Sequence, residues 1–147
     1  MTSFLESETG VEKFGQGVQF FDLEKYIPEL IAKGLRKICI CRQGQDRSVF
    51  VASAFENAQN QPTVFVEKGM MAMKNMTSAY IERYVKIIVE VPEVYVFSDL
   101  FEIEEYGLGD IYQRFKDANQ SKNITFVEDY WDFLKKTFTD EDLTGIN

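Results

Sequence analysis

Four short apolar runs constrain this chain more than any other feature. They are Lys37–Cys41 (KICIC), Thr63–Val66 (TVFV), Val85–Val91 (around KIIVEV) and Asn123–Val127 (NITFV). Each is too short for a buried helix and is rich in β-branched residues, the pattern of strands covered on both faces. Helical stretches separate them. Asp22–Leu35 repeats Leu23, Tyr26, Ile27, Leu30, Ile31 and Leu35 at helical spacing, with Pro28 in its first turns, where proline is tolerated. Ser48–Ala58 turns Val49, Val51, Ala52 and Phe55 inward, and Thr77–Tyr84 and Ile111–Asn119 are helical. Asp129–Phe138 forms a final helix with Trp131, Leu134 and Phe138 inward. Tyr95–Tyr106 reads as strand by propensity and as helix by Leu100, Ile103 and Glu104. Strands alternating with helices predict a three-layer α/β fold: a four-stranded parallel sheet flanked by helices. Residues 1–18 are expected to form a loose leader and 139–147 an acidic, frayed tail, all within a single domain 1–147.

Composition narrows the function classes. The net charge is −8, from 24 acidic and 16 basic residues, so a general basic face for nucleic acid is not expected. The chain has no histidine, which removes His-based triads and His metal sites, and two cysteines alone make no zinc site. Cys39 and Cys41 stand two apart on one strand face, which does not suit a structural disulfide; a reducing, cytoplasmic setting fits better. Met1–Gly10 is polar and acidic, unlike a secretory signal, and no apolar run is long enough to span a membrane.

The segment after the first run carries chemistry. In a parallel sheet, ligands bind beyond the carboxyl ends of the strands, and Cys41–Ser48 leaves that end of KICIC to open a helix. Backbone N–H groups of such a turn, together with the helix amino end, form an anion site. Gly44 allows a backbone angle that a side chain forbids, and Arg47 can grip two phosphate oxygens at once. Arg42, Gln43, Gly44, Gln45, Asp46, Arg47 and Ser48 are thus the candidate phosphate-binding residues. Cys41 at the loop mouth is a candidate nucleophile, because donors and Arg47 favour a thiolate there, and Ser48 can steady it. The plain alternatives are a buried core thiol at Cys41, a surface Arg47 and an ordinary helix cap at Ser48.

The stretch Cys41-Arg42-Gln43-Gly44-Gln45-Asp46-Arg47-Ser48 resembles the Cys-x5-Arg-Ser signature of cysteine-dependent phosphatases. Dual-specificity and classical tyrosine phosphatases usually place His before the cysteine, where this chain has Ile40. Rhodaneses share Cys-Arg-x-Gly, and Val64–Met70 is similar to their later segment, but their loop is usually one residue shorter. The order of elements is most similar to the low-molecular-weight tyrosine phosphatases, whose loop follows the first strand and whose catalytic aspartate comes near the chain end. Here Asp129-Tyr130-Trp131 follows NITFV in that place. Three departures stand out: Gln43-Gly44 replaces the usual Gly-Asn, Asp46 stands where a second loop cysteine is frequent, and no proline follows Asp129.

The resemblance implies a phosphomonoesterase, most naturally a protein tyrosine phosphatase, with no cofactor or metal. Its substrate is a phosphorylated protein or a small phosphomonoester. Cys41 is the nucleophile, Arg47 the phosphate clamp and Asp129 the general acid, with Tyr130 and Trp131 walling the pocket. Asp129 reads equally as the cap of its helix, with Glu128 and Asp132 as rival acids. Two other functions remain open: a non-catalytic phosphate-binding or interaction module that keeps the loop, and a rhodanese-like sulfurtransferase.

Overall fold

The computed structural model describes residues 16–18, 22–44, 46–119 and 122–144. Five strands form one all-parallel sheet: β1 Gln16–Val18, β2 Lys37–Cys41, β3 Thr63–Val66, β4 Glu93–Phe97 and β5 Ile124–Val127, in spatial order β1-β3-β2-β4-β5. The helices are α1 Leu23–Ala32, α2 Arg47–Gln59, α3 Ser78–Ile88, α4 Leu100–Glu105, α5 Gly109–Ala118, α6 Tyr130–Thr137 and α7 Asp140–Thr144.

Period-two alternation divides the core. Ile38, Ile40, Val64, Val66, Val94 and Val96 face α1, α3 and α5 in the larger cluster. Cys39, Cys41 and Phe97 face the other way, against Val51, Ala52 and Phe55 of α2 and Leu134 of α6. Phe55, 2% exposed, is the largest buried side chain of α2; burial of this kind is worth about 1.5–3 kcal/mol.

The α/β parallel architecture is as expected, with one strand more than the four predicted. The extra strand is Gln16–Val18, at the end of what the sequence presents as a leader: it pairs in parallel with β3, Gln16 opposite Val64 and Val18 opposite Val66. Residues 1–15 lie outside the described residues. The expected frayed tail contains α7, with residues 145–147 outside the description.

The expected strand at Val85–Val91 is also corrected. That stretch is the second half of α3 and the turn after it, and the strand follows Pro92 instead. Ile81, Tyr84, Val85 and Ile88 are buried at helical spacing, and the Thr77 hydroxyl caps the helix by accepting from Tyr80 N–H. Amphipathic periodicity over eleven residues outweighs the β propensity of Ile87-Ile88-Val89. The Tyr95–Tyr106 stretch is strand to Phe97 and helix from Leu100.

The crossover from β2 runs to β3 on one side, and the chain then returns to β4 on the other. The order thus reverses at β2, where the loops after β2 and β4 diverge and open a crevice at the carboxyl rim.

Candidate functional site

Cys41 ends β2 opposite Phe97, the last residue of β4. Its sulfur is 3.1 Å from the Ser48 hydroxyl and accepts from Gly44 N–H at 3.3 Å. Ser48 is fully buried at the second position of α2, so it serves the cysteine rather than capping the helix; Asp46 holds the cap position without a side-chain cap bond. The loop therefore wraps its own sulfur beside the amino end of α2.

Its shape depends on two glycines from different loops. Gly44 has φ +64°, and a Cβ there would lie 2.3 Å from Val66 O. Gly69, in the 3-10 turn Gly69–Ala72 after β3, has φ +54°, and its Cβ would lie 1.9 Å from Cys41 O. No side chain fits either contact. Met71 N–H donates to Arg42 O at 2.9 Å, so the β3 connection grips the back of the loop.

The charged groups meet at Glu102, in the first turn of α4. Arg47 contacts it through both ends of its fork, Nη1–Oε1 2.7 Å and Nη2–Oε2 2.8 Å. Arg42 pairs through Nε at 3.0 Å and lays its guanidinium 4.1 Å from the Tyr106 ring centroid. The Ser98 hydroxyl donates to Oε1 at 3.2 Å. Burial works against the Arg47 charge, yet the Glu102 carboxylate outweighs it and holds Arg47 above the usual guanidinium range. Both ends of the Arg47 fork thus serve Glu102.

A cleft of about 1010 Å³ opens above this centre, lined by Arg42, Asp46, Arg47, Val49, Phe50, Ser53, Asp99, Glu102, Glu128, Asp129, Tyr130 and Trp131. Six residues expected at the site thus converge there: Arg42, Asp46, Arg47, Asp129, Tyr130 and Trp131. Cys41 does not line the cleft: it is 2% exposed and enclosed by Gly44 and Ser48. Gln43 is exposed and outside the cleft lining, and Gln45 lies outside the described residues.

Of its expected readings, Asp129 fills the helix cap, and it also borders the cleft. Its Oδ1 accepts from Asp132 N–H at 3.0 Å, which makes it the cap of α6, and the same residue lines the cleft. Tyr130 packs edge-on against Phe97, ring centroids 6.2 Å apart, one strand over from Cys41. Burial, opposed by Arg47 and aided by Cys41 and Asp46, pushes its phenol up to about 12, so it stays a neutral hydrogen-bond donor. Trp131 turns outward instead of inward and is 71% exposed.

Sequence reasoning missed Asp99 and Glu102. Their signal was present: Asp99-Leu-Phe-Glu102 after EVYVF is a capping-box spacing, and Asp99 Oδ1 accepts from Glu102 N–H at 2.7 Å. Cys39 is fully buried, and burial followed by the neighbouring Cys41 pushes its thiol well above the ordinary range. Among the described residues no group of three or more His, Cys, Asp or Glu is arranged for a metal ion, and no helix is long and apolar enough to cross a membrane.

Comparison of the chain with protein-family models, with curated proteins and with solved structures found no match.

Proposed function

We propose that this protein is a cysteine-dependent phosphomonoesterase, similar to the low-molecular-weight tyrosine phosphatases, acting on phosphotyrosine through a phosphocysteine intermediate. The observation that carries this is the environment of the Cys41 sulfur. It receives Gly44 N–H and lies 3.1 Å from the Ser48 hydroxyl at the amino end of a thirteen-residue helix, with Arg47 fixed in the same loop. Nucleophilic sulfur, donors for oxyanions and a planar clamp are the parts that phosphoryl transfer needs.

In the first step the Cys41 thiolate attacks phosphorus, an S–P bond forms and the ester P–O bond breaks. Asp129, protonated, gives its proton to the leaving oxygen. In the second step Asp129, now a carboxylate, takes a proton from water. The hydroxide attacks phosphorus, the S–P bond breaks, and inorganic phosphate leaves with the thiolate restored. Loop N–H groups and Arg47 carry the charge of the equatorial oxygens in both steps, while Glu102 keeps the guanidinium plane oriented. Such chemistry belongs in the reducing cytoplasm, where a thiolate persists.

A second reading is a phosphate-binding module without turnover. It is favoured by the Glu102 hold on Arg47 and by the burial of Cys41. Turnover of a generic aryl phosphate separates the two readings. The parent chain is expected to release phosphate, and Cys41→Ser to release none while melting at the same temperature, because a hydroxyl is far less ionised than a thiol. Undiminished turnover in Cys41→Ser overturns the covalent mechanism. Phosphate or vanadate binding without any turnover in the parent selects the module.

A further inference from the structure

The charge of the cleft does not match a bare phosphate dianion. Among the described residues two arginines line it against five carboxylates, and both arginines are paired with Glu102. The other four, Asp46, Asp99, Glu128 and Asp129, are exposed, and among the described residues none of them forms an ion pair. Among the described residues no lysine joins them on the cleft wall. Asp99 leaves β4 and Glu128 leaves β5, so the negative charge comes from separate connections of the carboxyl rim rather than from one acidic run.

The walls between these charges are apolar. Val49 and Phe50 of α2 face the cleft together with Tyr130 and Trp131, and the indole is 71% exposed with the Tyr130 ring 5.2 Å from it. Leu100 and Phe101, next to Asp99 in the chain, are 62% and 73% exposed. An exposed indole beside carboxylates suits a cationic side chain, which gains from the ring face and the negative charge together. A small phosphomonoester gains nothing from such a rim and meets its repulsion.

From this charge complementarity we infer that the occupant of the cleft is a phosphorylated peptide segment with lysine or arginine on both sides of the phosphoresidue. The phosphate lies toward Arg47, and the basic flanks lie over Asp99 and Glu128. This rests on the phosphatase reading for the phosphate, and on the cleft lining alone for the flanks.

Two phosphotyrosine peptides that differ only in carrying Lys or Glu at the flanks test it, with an aryl phosphate as common reference. For the full chain at low salt, kcat/KM for the Lys peptide is expected to exceed that for the Glu peptide by about tenfold or more, the scale of electrostatic steering into a charged cleft. The ratio should shrink to about twofold near 0.5 M salt, where screening acts within a few ångströms. It should also shrink in Asp99→Asn with Glu128→Gln, read as the ratio of the two peptides. Equal values for the peptides, with the aryl phosphate turned over through Cys41, overturn this inference and leave the phosphatase reading standing. If no substrate is turned over, the phosphatase reading fails, and fluorescence anisotropy of the same labelled peptides decides the docking. Tighter binding of the Lys peptide, lost in the double variant, supports it, and equal binding overturns it.

Discussion

The two ends of α2 each bury an acidic group beside a strand terminus, and they treat it in opposite ways. At the amino end the Cys41 sulfur accepts from Gly44 N–H, shares a hydrogen bond with the Ser48 hydroxyl and has a guanidinium in its loop. At the carboxyl end Glu56 has one donor: Oε1 accepts from Thr63 N–H at 3.2 Å, while Oε2 is buried without a partner. Burial is then the dominant influence on Glu56 and raises its carboxyl to about 8, with the Thr63 bond opposing it. The difference teaches that the amino end is furnished to hold negative charge and the carboxyl end to suppress it. A donor-lined sulfur and a structural carboxyl thus share one helix without sharing chemistry.

The largest expected effect tests how far the amino end reaches across the cleft. Asp129→Asn keeps a good cap for α6 but cannot deliver a proton. Phosphotyrosine hydrolysis is expected to slow by about 10²–10⁴ while the melting temperature holds, and an activated aryl phosphate should slow less. Parent-like turnover in Asp129→Asn, with loss in Asp132→Asn, would move the acid to Asp132.

Arg47→Lys comes next. Lysine keeps the charge but loses the planar fork that grips Glu102 at two points. Turnover is expected to drop by about a hundredfold, with weaker vanadate inhibition. A Lys variant inhibited by vanadate as well as the parent would show that the charge alone suffices there.

A smaller effect, read as stability, tests the frame beneath the loop. Gly69→Ala introduces a Cβ onto the Cys41 carbonyl at a left-handed φ, and is expected to cost about 3 kcal/mol in urea unfolding. Gly34→Ala is the control. It also has positive φ, but its Cβ meets nothing within 4 Å, so only the backbone preference is lost, about 1 kcal/mol. Equal losses would mean that the Gly69 contact relaxes freely and does not hold the loop.

The β2–loop–α2 unit was readable because its information is local: a strand, a turn and a helix start within twenty-odd residues of sequence, with glycine and arginine at fixed offsets. Strands at Thr63–Val66 and Ile124–Val127 were readable for the same reason. α3 was not, because its apolar face continues through Ile88 into residues with strong β propensity, and only the full helical window reveals the period. Glu102 was invisible for a different reason: it lies 55 residues from Arg47, and their meeting depends on β4 lying next to β2. The outward turn of Trp131 likewise reflects how α6 sits on the sheet, which its own periodicity did not fix.

The smallest expected effect belongs to the carboxyl end and concerns pH. In the unfolded chain Glu56 ionises near its ordinary value of about 4.3, and in the fold near 8. Below the lower value both states hold the proton, and the buried carboxyl contributes its full stability. As pH rises through the window, the unfolded state releases a proton that the folded state retains, so stability is lost progressively up to about pH 8. The nominal shift is large, but Glu56 is only partly shielded from water; after screening the loss is on the order of 1–2 kcal/mol. Glu56→Gln keeps an oxygen for Thr63 N–H and removes the titration. It is expected to match the parent in urea unfolding at pH 3.5 and to exceed it by that amount at pH 8.5. An advantage that does not grow with pH would mean that Glu56 ionises in place, and that the carboxyl end tolerates charge as the amino end does.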